Sequence, residues 1–219
     1  AGNSIESGGN YNVVVGDEAG TAITTGDQNT GIGYEALNDT TTGGNNTSVG
    51  SISLSANTTG HSNVAVGQAA LTVSTTGTSN TAVGKSAGEQ VTTGIQNTLI
   101  GAFAGDAITT GTYNVALGTS ALSATTTASY NSALGADSLV TNTTGAQNVA
   151  VGYNALNANT TASNNTAVGS SALLVNTTGA DNTALGYATL TANTTGTLNT
   201  ASGSNALRYN TTGDNNTAL

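Results

Sequence analysis

Asparagine recurs every 17 residues along this chain without a slip, at Asn12, Asn29, Asn46, Asn63, Asn80, Asn97, Asn114, Asn131, Asn148, Asn165, Asn182, Asn199 and Asn216. Four residues after each of the first twelve stands a glycine, from Gly16 to Gly203. Twelve residues after each of them stands a Thr-Thr pair, from Thr24-Thr25 to Thr211-Thr212. A fixed period in this range marks a solenoid, in which each repeat buries its apolar side chains by stacking on the next. A chain of 219 residues would otherwise suggest one or two globular domains. The unbroken repeat instead gives one domain over residues 12–219, with residues 1–11 as a lead-in or cap. The chain stops inside a repeat at Leu219 and contains no methionine, which reads as a fragment or a processed chain.

Counting each repeat asparagine as position 1, the consensus is N-(T/V)-A-(V/L)-G-x-x-A-L-x-A-(N/T)-T-T-G-x-x. A helix would need a period near 3.6, whereas positions 1–5 read as a short alternating strand closed by glycine. Val, Ile and Thr are frequent there, and β-branched residues favour a pleated surface. Asn and Gly at fixed spacing supply the turns, since both tolerate left-handed backbone angles. Ala128 and Ala162 replace the second glycine, at position 15, so that corner does not demand positive φ. The expected fold is all-β: a parallel β-solenoid of about twelve 17-residue coils, with two or three short strands per coil. At the usual strand spacing of ~4.8 Å the rod is roughly 60 Å long.

Position 4 is aliphatic in every copy but Ser202, and position 9 is Leu in nine copies and Gly at Gly20, Gly88 and Gly105. These two columns are the expected core, so Val151→Asp should bury an unpaired charge and disrupt folding. Structural ladders are expected from Asn63, Asn80, Asn97, Asn114, Asn148 and Asn165, whose amides can hydrogen-bond along the axis as in cross-β stacks. The glycines Gly67, Gly84, Gly101, Gly118, Gly152 and Gly169 accompany them. Position 3 is small, as at Ala65, Ala82, Ala116, Ala133, Ala150, Ala167 and Ala184. Successive strand residues point to opposite faces. With position 4 inward, this alanine column faces out, and its small size makes it the candidate contact face for another copy of the chain; the alternative is that it faces another layer of its own coil.

No residue pattern suits catalysis. The 11 acidic residues, Lys85 and Arg208 fall in columns that vary, and His61 is the lone histidine. Paired carboxylates need set separations and tuned environments, and one histidine builds no metal cluster or repeated triad. Without cysteine there is no disulfide framework or thiolate metal site. No column carries a regular Asp, so a calcium-filled roll is not expected. No catalytic, cofactor or metal site is assigned. The net charge of −9, with two basic residues, gives no footprint for nucleic acid or an anionic membrane. No apolar run reaches the length of a membrane-spanning helix. The N-x-T strings such as Asn57-Thr58-Thr59 match glycosylation acceptors but read better as one corner of the repeat. Tyr34, Tyr153 and Tyr187 share one variable column, and Tyr11, Tyr113 and Tyr130 another, where exposed rings could contact sugars.

The Thr-Thr pair is never substituted. Thr ladders stabilise β-stacks between rungs. The alternative is an ice or ligand face made of Thr58, Thr59, Thr75, Thr76, Thr92, Thr93, Thr109, Thr110, Thr143, Thr144, Thr177 and Thr178. Neighbouring strand residues face opposite ways, so both columns line one face only if the pair sits at a bend.

The string NTAVGSSALLVNTTG, Asn165 to Gly179, resembles 17-residue repeats of phage tail fibres and related bacterial surface proteins, as does NVAVGYNALNANTTA, Asn148 to Ala162. Val64-Ala65-Val66-Gly67 and Val149-Ala150-Val151-Gly152 are also similar to the N-x-V-A-I-G repeat in the head of trimeric autotransporter adhesins, a shorter repeat that forms a parallel β-roll. The resemblance implies a homotrimeric fibre on a cell surface or virion, or otherwise extracellular, with surface or glycan contacts through its variable columns. The expected function is a structural shaft or head segment without catalysis. The alternatives are an ice-binding solenoid using the Thr columns and a self-assembling filament subunit.

Overall fold

The computed structural model describes residues 9–219; the first eight residues of the expected lead-in lie outside the described residues. The described chain is a β-solenoid. Thirteen short strands, from β1 (Val13–Val15) to β13 (Thr217–Ala218), form one parallel sheet in chain order. Neighbouring strands pair residue for residue one period apart, as in Val64↔Thr81, Ala65↔Ala82 and Val66↔Val83. A strict period and a parallel register are the same statement, since every column of the sequence becomes a column of the rod.

Each coil has one strand, not two or three. The rest of the coil is still bonded to its neighbours by backbone. Ser86 N–H donates to Gln68 O at 2.9 Å, Leu71 to Ala87 at 3.0 Å, Thr75 to Thr92 at 3.0 Å, and Ser79 to His61 at 3.1 Å. These segments are not extended because positions 7, 9 and 17 take left-handed angles in coil after coil, as at Ser86 (φ 53°), Leu71 (φ 51°) and Ser79 (φ 58°). Such angles disfavour L-residues, yet they do something a strand cannot. Positions 8 and 9 are adjacent and both buried, as in Ala70 and Leu71, whereas strand neighbours diverge.

The inside and outside of the strand are the reverse of the sequence expectation. Ala65, Ala82, Ala116, Ala133, Ala150, Ala167 and Ala184 at position 3 are fully buried within their own coils. They are core residues and form no face for another chain. Position 4 points outward: Leu117 is 46% exposed and Val15 57%, and Val151 is half-buried. Alanine is small here because the leucine of position 9 fills the space in front of it. A Cβ added to Gly31 at position 3 would lie 3.2 Å from Leu37 Cδ1 of the same coil. The core is therefore a continuous stack of position-3 and position-8 alanines against position-9 leucines, such as Ala150, Ala155 and Leu156.

Exceptions in the core compensate one another. Glycine stands at position 9 only in the coils where position 12 is Ile23, Val91 or Ile108. Leu99 at position 3 occupies the vacated volume: its Cδ1 would meet a Cβ on Gly88 at 2.7 Å, and its Cδ2 one on Gly105 at 2.7 Å. Glycine at position 5 answers a different demand. Gly84 has φ 138°, and a Cβ there would lie 2.5 Å from the carbonyl oxygen of Gly101 in the next coil. Position 15 needs no positive φ, as Ala128 and Ala162 suggest; its glycines sit where coils approach closely, Gly145 facing the carbonyl oxygen of Ala162.

Candidate functional site

Four columns carry polar groups in register, and each has different work. The position-1 asparagines form a buried ladder that includes Asn63, Asn80, Asn97, Asn114, Asn148 and Asn165. Asn80 Oδ1 accepts the backbone N–H of Asn97 at 3.0 Å and its Nδ2 at 3.1 Å. Asn80 Nδ2 in turn donates to Gly94 O of its own coil at 2.8 Å, closing that coil. The position-1 asparagine is thus an interior strut and not a left-handed turn residue. The turns fall to positions 7, 9 and 17 and to the position-5 glycines Gly67, Gly84, Gly101, Gly118, Gly152 and Gly169.

A second asparagine ladder runs through position 12, unannounced by the sequence because Ile, Val, Thr and Ser share the column. Asn159 Nδ2 donates to Asn142 Oδ1 at 2.9 Å and Asn176 Nδ2 to Asn159 Oδ1 at 3.1 Å. Each also donates to the position-15 carbonyl of its own coil, as Asn159 does to Ala162 O at 3.0 Å. The ladder breaks at Ser74, whose neighbour is Val91, and there Asn57 Oδ1 and Ser74 Oγ are buried without a partner. The N-x-T asparagines Asn57 and Asn176 are fully buried, which places those strings at a structural corner.

The Thr-Thr pair sits at a bend and divides its work. At position 13, hydroxyls bond upward to the next coil: Thr58 to Thr75 O at 3.1 Å, Thr92 to Thr109 O at 3.1 Å, Thr109 to Thr126 O at 3.2 Å, Thr177 to Thr194 O at 3.0 Å. Thr75 and Thr143 follow the same pattern. At position 14, Thr59, Thr76, Thr93, Thr110, Thr144 and Thr178 are all exposed, and their hydroxyls have no hydrogen-bond partner among the described residues.

The outer side of the sheet is a second exposed array. Position 2 carries Thr, Val or Ser, and position 4 carries Val, Ile, Leu or, once, Ser, so no charge occurs in either column. Val115, Leu117, Val168 and Leu185 are among its exposed members.

Charged and aromatic groups are scattered over the remaining surface. His61 Nδ1 lies 3.4 Å from Ser62 Oγ. Lys85 Nζ stands 5.7 Å from the Phe103 ring centre and Arg208 the same distance from Tyr209. Tyr113 and Tyr130 stack face to face, 5.1 Å apart and 4° from parallel, so each covers one face of the other along the rod. Tyr34, Tyr153 and Tyr187 stand separately on the exterior. A hydrogen bond and the nearby charge of Glu35 raise the Tyr34 phenol above its ordinary range. Among the described residues there is no cavity, no cluster of three or more metal-capable side chains, and no helix long and apolar enough to cross a membrane. Comparison with protein-family models, curated proteins and solved structures found no match.

Proposed function

We propose that this chain is a shaft or head segment of an extended extracellular or virion-borne fibre, mechanical in action and without a catalytic step, and that copies of it associate side by side as a homotrimer. The observation that carries the reading is the outer sheet face. It is uncharged from Val13 to Leu219, rich in exposed aliphatics, and backed by an unbroken register of thirteen strands. Large uncharged apolar patches on soluble rods mark interaction surfaces. Thirteen strands of about 10 Å width at ~4.8 Å spacing give roughly 600 Å² per copy, so a pair of copies buries about the minimum of a specific interface. The position-1, position-12 and position-13 ladders supply axial stiffness, and the variable columns are free for weak surface or glycan contacts.

Light scattering on the full chain tests this. A mass three times the 21.1 kDa protomer is expected. The combined variant Val83→Asp, Leu117→Asp, Val151→Asp should return the mass to one protomer while the far-ultraviolet circular dichroism stays unchanged, because these side chains point out of the coil. A wild-type chain that stays monomeric at tens of micromolar would overturn the oligomeric fibre.

A further inference from the structure

We infer that the position-14 threonines, from Thr25 to Thr212, form an ice-binding edge along the rod, separate from the sheet face just described. The inference starts from a contrast among columns of one chain. Where solvent is the main neighbour, this sequence has diversified: exposed position 17 ranges from Tyr113 through Gln147 to Asp181. At position 2, Thr gives way to Val64 and Ser132, so neither a hydroxyl nor a second methyl is essential on the strand. Position 14 is exposed in every coil and is threonine in every coil.

The fold does not explain that constancy. Position 13 is constant because its hydroxyl bonds to the next coil, as Thr41 does to Thr58 O at 3.1 Å. No position-14 hydroxyl has a hydrogen-bond partner among the described residues. Valine would keep the β-branch and serine the hydroxyl, yet neither occurs there. What is retained is the pair of groups together, a methyl and a free hydroxyl on each rung.

The partner's chemistry follows. Positions 13 to 15 hold no charge, so the partner is neutral. The column stands on the outside of a rod and repeats at about 4.8 Å, so the partner is an extended lattice and not a small molecule. It must offer both hydrogen bonds and hollows for methyl groups. The surface of ice meets these conditions, since its oxygens bond to hydroxyls and its open lattice receives methyls. The presenting backbone is already fixed: the N–H groups of Thr92 and Gly94, which flank Thr93, both donate to Thr109 O, at 2.9 and 3.3 Å. A preorganised array loses little entropy on binding.

The test measures incorporation of the full chain into slowly grown ice, with thermal hysteresis as a second readout. One variant carries Thr59→Lys, Thr76→Lys and Thr93→Lys. Its control carries Ser62→Lys, Ser79→Lys and Gln96→Lys, exposed positions on the same three coils with the same added charge. Circular dichroism confirms that each is folded, and a milder set, Thr59→Ser, Thr76→Ser and Thr93→Ser, removes only methyls. Wild type and control should enter the ice, the lysine set at position 14 should be excluded, and the serine set should be depleted. Exclusion of wild type, equal loss in both lysine sets, or undiminished incorporation of the serine set would each overturn the inference.

Discussion

Asp106 occupies position 10, one coil beyond Glu89 in the same column. Its Oδ1 is buried without a partner. Burial foremost, and then the charge of Glu89, push its carboxyl above the usual range, against the pull of backbone hydrogen bonds. A carboxyl raised in the folded state binds its proton more tightly there than in the unfolded chain. Between the ordinary carboxylate range and that raised value, stability therefore grows as pH falls, and at neutral pH the ionised group is a net cost. Asp106→Asn should stabilise the rod at pH 7 by less than about 1 kcal/mol, since the side chain is only partly shielded from solvent. It should also flatten the mildly acidic part of the pH–stability curve. Urea melts at several pH values check both effects, and a destabilised variant at pH 7 would contradict them.

Each coil shows which features the sequence exposes and which it hides. The period, the parallel register, the leucine column and the position-1 ladder are legible because they repeat one residue type. The direction of the strand is not. Position 4 is the more hydrophobic column and so reads as inward, but the interior width is set by Leu at position 9, which leaves room only for a small residue at position 3, Ala, Ser or Gly. The left-handed positions are hidden too, because Leu156 (φ 52°) or Tyr130 (φ 62°) carries no glycine signal. One internal correlation does betray the interior, namely glycine at position 9 with Ile or Val at position 12. It implies that these two positions share one volume. Leu156→Gly should cost about 2–5 kcal/mol by opening a cavity. Asn159→Ile should also destabilise, by crowding Leu156 and leaving Asn142 Oδ1 without its donor. The double variant should be more stable than the two losses added together, by about 0.5–3 kcal/mol, as expected for residues in contact. Strict additivity in thermal melts would show that the two side chains do not share space.

At the scale of the rod, every contact between coils repeats at one period, so stability is a sum over coils and their interfaces. Removing one whole period should then splice two equivalent surfaces. Deleting residues 131–147 places Val149 against Val115 and Ala150 against Ala116, reproducing the pairings each now makes with Ser132 and Ala133. Leu156 then meets Leu122, and Asn159 Nδ2 meets Thr125 Oγ1, the acceptor that Asn142 Nδ2 now uses at 3.3 Å. The shortened rod should fold cooperatively, with a denaturant m-value reduced roughly in proportion to the surface removed. Deleting 131–146 instead removes one residue fewer and moves every later side chain into the next column. Gln147 falls in the asparagine ladder, Ala150 turns outward and Val151 takes the corner held by Gly135, whose φ of 139° valine does not adopt. A one-residue slip of this kind turns the buried set outward. Urea melts followed by circular dichroism should show a sharp transition for the first deletion. The second should give a truncated or unfolded chain, and equal melts for the two would mean that the register of the columns does not hold the rod together.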